Sequence, residues 1–390
     1  MSRAVPLAVL LAVACCCYTP IAVKSAATAV SADQQPSVRV RLSAITTSAT
    51  VSCDAELQVK AAGNERRTDR AFVVLRRVGN SVVVTVGNNE WQRTTDTVIL
   101  KGVRNVPVRV GGQAYRGMVL AFVSADELVV VNEIGLEDYL YSVVPCEIGP
   151  IRPETFEAVK AQAVAARSFT LARLGKRKAL GFDLYDTYLR DQEYQGVGRE
   201  TELSTRAVVE TRGEVLLFDG KPAEALYHCN CGGITAQGSQ PYLKPVRDTP
   251  EHRPGRPFCA DGKYHEWQAE FEPIQYDTIL TRLVGVGAKI KLRRVKLQKD
   301  KVSGRVLSLI LDTDKGRFKV FGTDFRMALG LRSTMFDLKL SAGRMNVTGR
   351  GWGHGCGLCQ DGAIEMARRG SSYRQILAHY YPGLKLGQQY

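Results

Sequence analysis

The hydrophobic pattern divides the chain into a strand-rich part and a part in which helices and strands alternate. Between residues 71 and 131, short apolar runs such as "AFVVLRRV", "SVVVTVG" and "MVLAFV" are separated by Gly and Asn. Runs of this length, rich in β-branched residues, are typical of strands joined by turns. Residues 33–70 are small and polar and then rich in arginine. We expect a tether or weakly ordered lead-in there, which could hold a strand around Thr50.

Helical periodicity begins near residue 135. Pro153 opens the most regular helix, because proline is tolerated at a first helical position, and Glu154 and Glu157 suit the positive end of the helix dipole. Apolar and small residues then recur at helical spacing until a stop signal at Gly175. The predicted fold class is therefore α+β. A strand-rich N-terminal portion should precede a mixed domain, in which this helix and Gly-rich turns form a groove.

Shorter elements are predicted from there to the C-terminus. We expect a second helix that ends at Gly213 and a hairpin with an Asp-Gly turn in "EVLLFDGKPAEALYHC". The segments "AKIKLRRVKLQK" and "RVLSLILDTDKGRFKVF" should be strands, and "TDFRMALG" a short helix. The last two helices should end at Gly370 and before Pro382.

Composition and charge narrow the classes of function. The 390 residues include 45% hydrophobic and 24% charged residues, which is ordinary for a globular protein. A net charge of +14 favours an anionic partner: nucleic acid, a membrane surface or an acidic wall polymer. The sequence has no zinc-finger spacing, no P-loop and no basic block with interleaved aromatics. Nucleic acid is therefore not the expected partner.

The N-terminus predicts export. Residues 1–32 contain one early arginine, a long apolar run and a final "VSA", which is typical of a signal peptide. Cys15 after "LAVA" suggests a lipoprotein site instead, and an uncleaved anchor is a third option because the run barely reaches spanning length. We expect the protein in the periplasm or cell envelope, with membrane contact only through this segment.

Five sequence blocks occur in a specific order. They are "VNEIGLEDYLYSVVPCEIG" with "EAVKAQAVAARSF", "FDLYDT" with "DQEYQG", "ALYHCNCGGITA" with "PYLKPVRD", "TDFRMALGLRSTMFDL", and "GRGWGHGCGLCQDGAIEMA" with "YYPG". Together they resemble the stage II sporulation protein D and amidase-enhancer family, over roughly residues 106–383. The resemblance implies a protein that acts on the cell wall. Members that are enzymes are lytic transglycosylases, which cut peptidoglycan glycan strands and leave 1,6-anhydro-N-acetylmuramic acid ends.

The resemblance also implies a catalytic residue. In the family, the glutamate of the "VP-x-E" turn is catalytic, and the matching residue here is Glu147. A lytic transglycosylase needs only one carboxyl group, because the C6 hydroxyl of the same sugar is the nucleophile, whereas ordinary glycoside hydrolysis needs two. No metal or other cofactor is then required. The acid must stay protonated near neutral pH, which an apolar wall from Val143, Val144, Pro145 and Ile148 could ensure.

Several further residues could line the groove or belong to the core. His228 and His354 lie in or beside Gly-rich segments, where backbone can approach a ligand closely. Each could bind sugar hydroxyls or orient Glu147, or could be a buried histidine bonded to backbone. Arg167 could bind an acidic sugar substituent or brace the turn internally. The other substrate-binding candidates, each with the same structural alternative, are Gln162, Gln192, Tyr194, Tyr227 and Gln360.

Seven cysteines follow the three of the N-terminal segment. An exported chain can oxidise some of them, and related sequences with "CGG" tend to have a later cysteine before a tryptophan. The resemblance therefore implies a disulfide between Cys231 and Cys259. Some members of the family bind a metal through Cys and His residues in one block of the sequence. The matching block here, "DLYDTYLRDQEYQG", contains neither Cys nor His, and we therefore expect no zinc at that place. A zinc site from His228, Cys229, Cys231 and Cys259 is the alternative.

Two rival functions stay open. A non-catalytic member would bind glycan strands and stimulate an N-acetylmuramoyl-L-alanine amidase, the partner that the family implies for removing stem peptides. Cys146 stands where the family commonly has serine, and with His228 or His354 as a base it could form a thiol enzyme. The three hypotheses differ in the residue whose loss abolishes activity: Glu147, Cys146 or neither.

Overall fold

Alternating apolar side chains build strands at the start of the described chain. The computed structural model describes residues 35–69 and 72–390. Val38 and Val40 are buried whereas their neighbours are exposed or partly exposed, as in a half-buried strand. The tether predicted for residues 33–70 is therefore wrong: the described part forms four strands, one of which contains Thr50. The predicted signal peptide or anchor, residues 1–32, and Cys15 lie outside the described residues.

Two large antiparallel-rich sheets contain the first thirteen strands. Strands β1 to β13 are Ser37–Arg41, Ser48–Cys53, Glu56–Ala61, Asn64–Asp69, Val73–Val78, Ser81–Val86, Asn89–Thr94, Val98–Gly102, Val108–Val110, Gln113–Tyr115, Met118–Ser124, Glu127–Gly135 and Leu184–Tyr185. The seven-stranded sheet has the order β13-β1-β12-β11-β8-β3-β4, and the six-stranded sheet the order β10-β9-β2-β5-β6-β7. The first described strand thus pairs with β12, which leads directly into the first helix.

One helix is central to the packing around the site. Helices α1 to α7 are Leu136–Glu147, Phe156–Arg173, Glu202–Glu210, Pro273–Val284, Gly322–Leu329, Gln360–Arg368 and Tyr373–Tyr380. The helix predicted at Pro153 is present as a 3-10 turn, Pro153–Thr155, followed by α2. Because its small side chains allow close approach, α2 packs against α1, α3, α6 and α7. Gly175 follows its end with a φ of 74°, which suits a glycine stop.

The remaining strands form small sheets. Strands β14 to β24 are Glu214–Phe218, Lys221–Pro222, Tyr227–His228, Glu266–Phe271, Leu292–Lys299, Val306–Thr313, Gly316–Phe321, Phe336–Ser341, Arg344–Arg350, Leu358–Cys359 and Lys385–Gln388. The predicted hairpin is present, with Asp219 and Gly220 in the turn between β14 and β15. Strands β16 and β23 pair in parallel, so that His228 lies beside Cys359. This pairing brings the two Gly-rich segments together.

A second group of elements lies between residues 266 and 350. Sheets β17-β22-β21 and β18-β19-β20 share a core with α4 and α5, in which Leu309, Phe325 and Met345 are fully buried. The strands and the short helix predicted for this region are confirmed. The α+β class is also confirmed. None of the described helices has the length and apolar character needed to cross a bilayer.

Candidate active site

Glu147 is the last residue of α1. The sequence placed it in a turn, but helical hydrogen bonding continues to the end of α1, where the Ile148 N–H donates to the Val144 carbonyl at 3.1 Å. Val143 and Val144 are fully buried and Ile148 nearly so, which gives the expected apolar wall. The Glu147 side chain is half-buried at the edge of this wall. Its carboxyl group is therefore partly desolvated while still reachable from outside.

The surroundings of the Glu147 carboxyl tune its protonation. The Glu193 backbone N–H donates to Glu147 Oε1 at 2.7 Å. Burial is the main reason that the pKa of Glu147 rises to about 7; the Glu193 N–H and the Tyr227 hydroxyl oppose this rise, and the Glu193 carboxylate adds to it. Near neutral pH the group thus populates both its acid and its base form, as a residue that first donates and then accepts a proton requires.

A chain of hydrogen bonds fixes the Tyr227 hydroxyl. Thr170 Oγ1 donates to Gln192 Oε1 at 2.7 Å, and Gln192 Nε2 donates to the Tyr227 oxygen at 2.9 Å. Since the tyrosine oxygen accepts from Gln192, its own hydrogen is left to donate to Glu147. Gln192 is fully buried, so the substrate contact predicted for it is wrong, and it positions Tyr227 instead.

The two histidines brace the backbone around Tyr227. His354 Nδ1 accepts from the Cys356 N–H at 3.1 Å, which leaves Nε2 as the donor to the Tyr227 carbonyl at 2.9 Å. His228 is buried, its Nδ1 donates to the Cys356 carbonyl at 3.1 Å, and burial lowers its pKa well below the usual value. Both rings are therefore neutral. His354 bonds to the carbonyl of Tyr227, the residue whose hydroxyl lowers the pKa of Glu147, and neither histidine has a hydrogen bond to the carboxyl among the described residues.

Four more sequence candidates belong to the core, which corrects their predicted substrate contact. Arg167 is fully buried and forms a bidentate ion pair with Glu137, with both N–O distances 2.8 Å. Tyr194 packs against two other tyrosines, and its hydroxyl donates to Asn132 Oδ1 at 2.7 Å. Gln360 and Gln162 bond to each other across α6 and α2 at 3.2 Å. The physical reason is burial, since all four side chains lie inside the protein where a sugar does not reach them.

The Cys146 thiol lacks the surroundings of a nucleophile. Burial raises its pKa, so that it is protonated at neutral pH despite an interaction with Arg199. Among the described residues, the hydrogen bonds of His228 and His354 all go to backbone atoms. The geometry therefore does not favour the thiol enzyme.

Comparison with known proteins identifies the family of the chain. A family profile described as Stage II sporulation protein matches residues 124–218, a range that contains Glu147 and Glu193, and a domain of unknown function matches residues 259–357. An uncharacterized protein of Brachyspira hyodysenteriae is 30% identical over 71% of this chain and 73% of its own length. The chain belongs to the stage II sporulation protein D and amidase-enhancer family. Stage II sporulation protein D of Bacillus subtilis is 29% identical, over 66% of this chain and 76% of its own. The amidase enhancer of the same organism is 26% identical, over 60% of this chain and 38% of its own length.

Two features of this family member were missed by sequence reasoning. Glu193 lies between the two residues picked from "DQEYQG", yet it is the one whose backbone N–H donates to Glu147 and whose charge raises the pKa of Glu147. Beside the end of α1 a cleft of about 360 Å³ opens, lined by Gly149, Pro150, Tyr264 and Asp361 among others. A larger cavity, of about 660 Å³, lies over β17, β21 and β22 and includes none of the residues around Glu147.

An aromatic pair extends outward from the cleft of this family member, since Tyr264 lines the cleft and Trp352 packs against it. The Tyr264 and Trp352 rings pack edge to face with centroids 4.2 Å apart, and Trp352 remains 37% exposed. The Arg332 guanidinium lies over the Tyr264 ring at 4.4 Å. A cationic group beside exposed rings suits a sugar that has both apolar C–H faces and a carboxylate.

The predicted disulfide is not present. Cys231 and Cys259 are neighbours, but their sulfurs are 3.5 Å apart, whereas a disulfide needs about 2.0 Å. Cys359 joins them, and the Cys231 N–H donates to its sulfur at 3.2 Å. The alternative zinc set is also corrected, because His228 and Cys229 are not part of the cluster; Asp248 is.

Proposed function

We propose that this protein is an exported cell-wall enzyme that cleaves peptidoglycan glycan strands as a lytic transglycosylase, with Glu147 as general acid and then general base. One observation carries the proposal: a half-buried carboxyl with a pKa of about 7 lies between the Glu193 N–H and the Tyr227 hydroxyl, two residues before Gly149, which lines an open cleft. The relatives named for sporulation and for amidase enhancement support a substrate in the cell wall.

The proposed reaction needs one carboxyl group and balances without water. Protonated Glu147 donates to the glycosidic oxygen, and the bond from that oxygen to C1 of N-acetylmuramic acid breaks. The C6 hydroxyl of the same sugar attacks C1 and gives its proton to the Glu147 carboxylate, which closes the anhydro ring and restores the acid. The Tyr227 hydroxyl and the Glu193 N–H stabilise the carboxylate formed between these steps.

Substrate binding in this proposal uses the cleft and the aromatic pair. The glycan would pass Gly149 and Pro150 on its way from Glu147, and Tyr264 and Trp352 would stack on a sugar ring. The lactyl carboxylate of muramic acid is free only where the stem peptide has been removed, and Arg332 is placed to pair with it. The substrate is therefore proposed to be strands stripped by an amidase, which would be the functional partner.

Product analysis tests the proposal against hydrolysis. Because the charge of a second carboxylate, Glu193, acts on the pKa of Glu147, a two-carboxylate hydrolase is the chemical rival. We expect purified protein to release 1,6-anhydro ends from amidase-stripped peptidoglycan in heavy-oxygen water, with no label incorporated, as judged by mass spectrometry. Glu193→Gln should still form anhydro ends, since its backbone N–H remains. Labelled reducing ends that disappear with Glu193→Gln would instead establish a hydrolase.

The pH profile tests the role of Tyr227. The acid form of Glu147 must be present, so kcat/KM should fall as pH rises through about 7. Tyr227→Phe removes a hydroxyl that lowers the pKa of Glu147, and the falling limb should therefore move to higher pH. Tyr276→Phe is the matched control, because that buried tyrosine donates only to the Gly343 carbonyl. If the falling limb of Tyr227→Phe lies at the same pH as that of the wild type, the Tyr227 hydroxyl does not act on Glu147.

A non-catalytic role is the second candidate function, favoured by the relative named amidase enhancer. In that case the cleft binds glycan strands and the partner amidase does the cutting. Wild-type protein that releases no anhydro ends but accelerates an N-acetylmuramoyl-L-alanine amidase would establish this role.

A further inference from the structure

Four buried side chains converge beneath the paired strands β16 and β23. Cys231 follows β16, Cys359 ends β23, Cys259 lies in the short turn Phe258–Asp261, and Asp248 lies in the preceding loop. One ligand atom from each lies within 4.8 Å of all the others, and all four residues are buried. Side chains from three distant parts of the chain thus point their sulfur and oxygen atoms at one another, away from solvent.

The sulfurs in this cluster accept hydrogen bonds. The Cys231 N–H donates to Cys359 Sγ at 3.2 Å, and the Gly233 N–H donates to Cys231 Sγ at 3.3 Å. His265 Nδ1 lies 3.5 Å from Cys259 Sγ. Gly232 makes the bond from the Gly233 N–H to Cys231 Sγ feasible, because its φ of 73° turns the chain back onto the sulfur. Backbone donors aimed at sulfur favour the thiolate form, which is the form that binds metals.

A buried arginine beside the cluster lacks an anionic partner. Arg305 is 3% exposed, and its Nε and Nη1 atoms have no hydrogen-bond partner among the described residues. Its Nη2 donates to the Cys231 carbonyl at 2.8 Å, and no described carboxylate forms a salt bridge with it. A buried cation of this kind is costly unless negative charge lies nearby. Three thiolates and a carboxylate around one divalent ion would keep a net negative charge next to it.

We propose that Cys231, Cys259, Cys359 and Asp248 bind one zinc ion. Three soft sulfur ligands and one oxygen suit zinc in tetrahedral geometry better than magnesium or calcium, which require oxygen ligands. Asp248 is already oriented, because Tyr380 donates to its Oδ1 at 2.5 Å and the Cys259 N–H to its Oδ2 at 2.9 Å. A carboxylate held in this way still has a free lone pair for the metal.

The site is structural, because all four positions of the metal are filled by the protein. It ties together β16 and β23, the strands that hold Tyr227 and the loop with His354. Zinc would thus fix the backbone from which the Tyr227 hydroxyl faces Glu147, without taking part in the reaction. The metal site does not depend on the proposed function, since its occupancy can be measured without any substrate.

Metal content tests the proposal on the full chain. Protein purified without chelators from zinc-supplemented cells should contain about one zinc ion per chain, as measured by inductively coupled plasma mass spectrometry. Cobalt in place of zinc should give thiolate-to-metal charge-transfer bands and the visible bands of a tetrahedral site. Cys359→Ser should lose most of the zinc. Cys53→Ser is the matched control, since Cys53 is also buried and its thiol donates to the Pro107 carbonyl, outside the cluster.

The outcomes separate a metal site from oxidation. Peptide mapping without reductant that finds a bond between any two of Cys231, Cys259 and Cys359 would overturn the proposal, and so would zinc-free protein with free thiols. Zinc retained in full by Cys359→Ser would overturn it as well. If Cys359→Ser fails to fold, the wild type decides: a chelator should remove its zinc and lower its melting temperature, and zinc should restore both.

Discussion

Glu147→Gln should lower the rate of glycan cleavage by at least about 10²–10⁴-fold. Glutamine keeps the size of the side chain, and its carbonyl oxygen can still accept the Glu193 N–H, which now lies 2.7 Å from Glu147 Oε1. It cannot, however, protonate the leaving oxygen or take the proton of the C6 hydroxyl. Release of anhydro ends, followed by mass spectrometry, measures the loss, and sedimentation with insoluble peptidoglycan measures whether glycan binding is kept.

Cys146→Ser is the matched control for this variant. The Cys146 thiol lies next to Glu147 in the chain, but burial raises its pKa and keeps it protonated, so the exchange should leave cleavage largely intact. Loss of cleavage with Cys146→Ser and not with Glu147→Gln would establish the thiol enzyme. If neither variant changes amidase stimulation and no anhydro ends form, the protein is a binding module.

The N-terminal strands show why part of the fold was missed. Strand β1, "SVRVR", and strand β3, "ELQVKA", alternate buried and exposed residues as a half-buried strand should. The period-two signal was thus present in the sequence. The exposed positions hold Ser, Arg, Gln and Lys, and this polar composition suggested a tether. Pairing with β12 and β8, far along the chain, supplies the stability that composition alone did not indicate.

The site residues that lie within one short segment of the sequence could be predicted. Those that the fold brings together from distant segments could not. Glu147 and its apolar wall lie within six residues, so the motif located both. Its hydrogen-bond partner lies 46 residues away, at Glu193, and only the fold brings the two together. Likewise the resemblance implied only the pair Cys231 and Cys259, whereas Cys359 joins Cys231 from 128 residues away through the fold.

His228 and His354 show that residue type alone does not predict which side chains bind a ligand. A Gly-rich setting correctly indicated close backbone approach, since an added Cβ at Gly353 would lie 2.8 Å from the His228 Cβ. The approach is between two segments of the protein itself rather than between protein and sugar. His354 uses both ring nitrogens on backbone groups, which no sequence pattern distinguishes from ligand binding.

Arg167→Met should lower the free energy of unfolding by about 3–5 kcal/mol, because it leaves Glu137 as a buried charge without its bidentate partner. Both side chains are at most 1% exposed, and Arg167 also donates to the Val208 and Glu214 carbonyls, which ties α1, α2, α3 and β14 together. Urea unfolding measures the effect. The matched control is Arg317→Met, which breaks an ion pair with Asp312 in which the arginine is 74% exposed and solvent screens the charges, so the free energy of unfolding should hardly change.

A double variant separates bracing from substrate binding. Adding Glu137→Leu to Arg167→Met removes the uncompensated charge, so the double variant should be less destabilised than the sum of the two single variants. If Arg167 instead bound an acidic sugar, Arg167→Met would keep the stability of the wild type and lose affinity for glycan. Its complete burial argues against that result, since a sugar could reach the guanidinium only by separating α1 from α2.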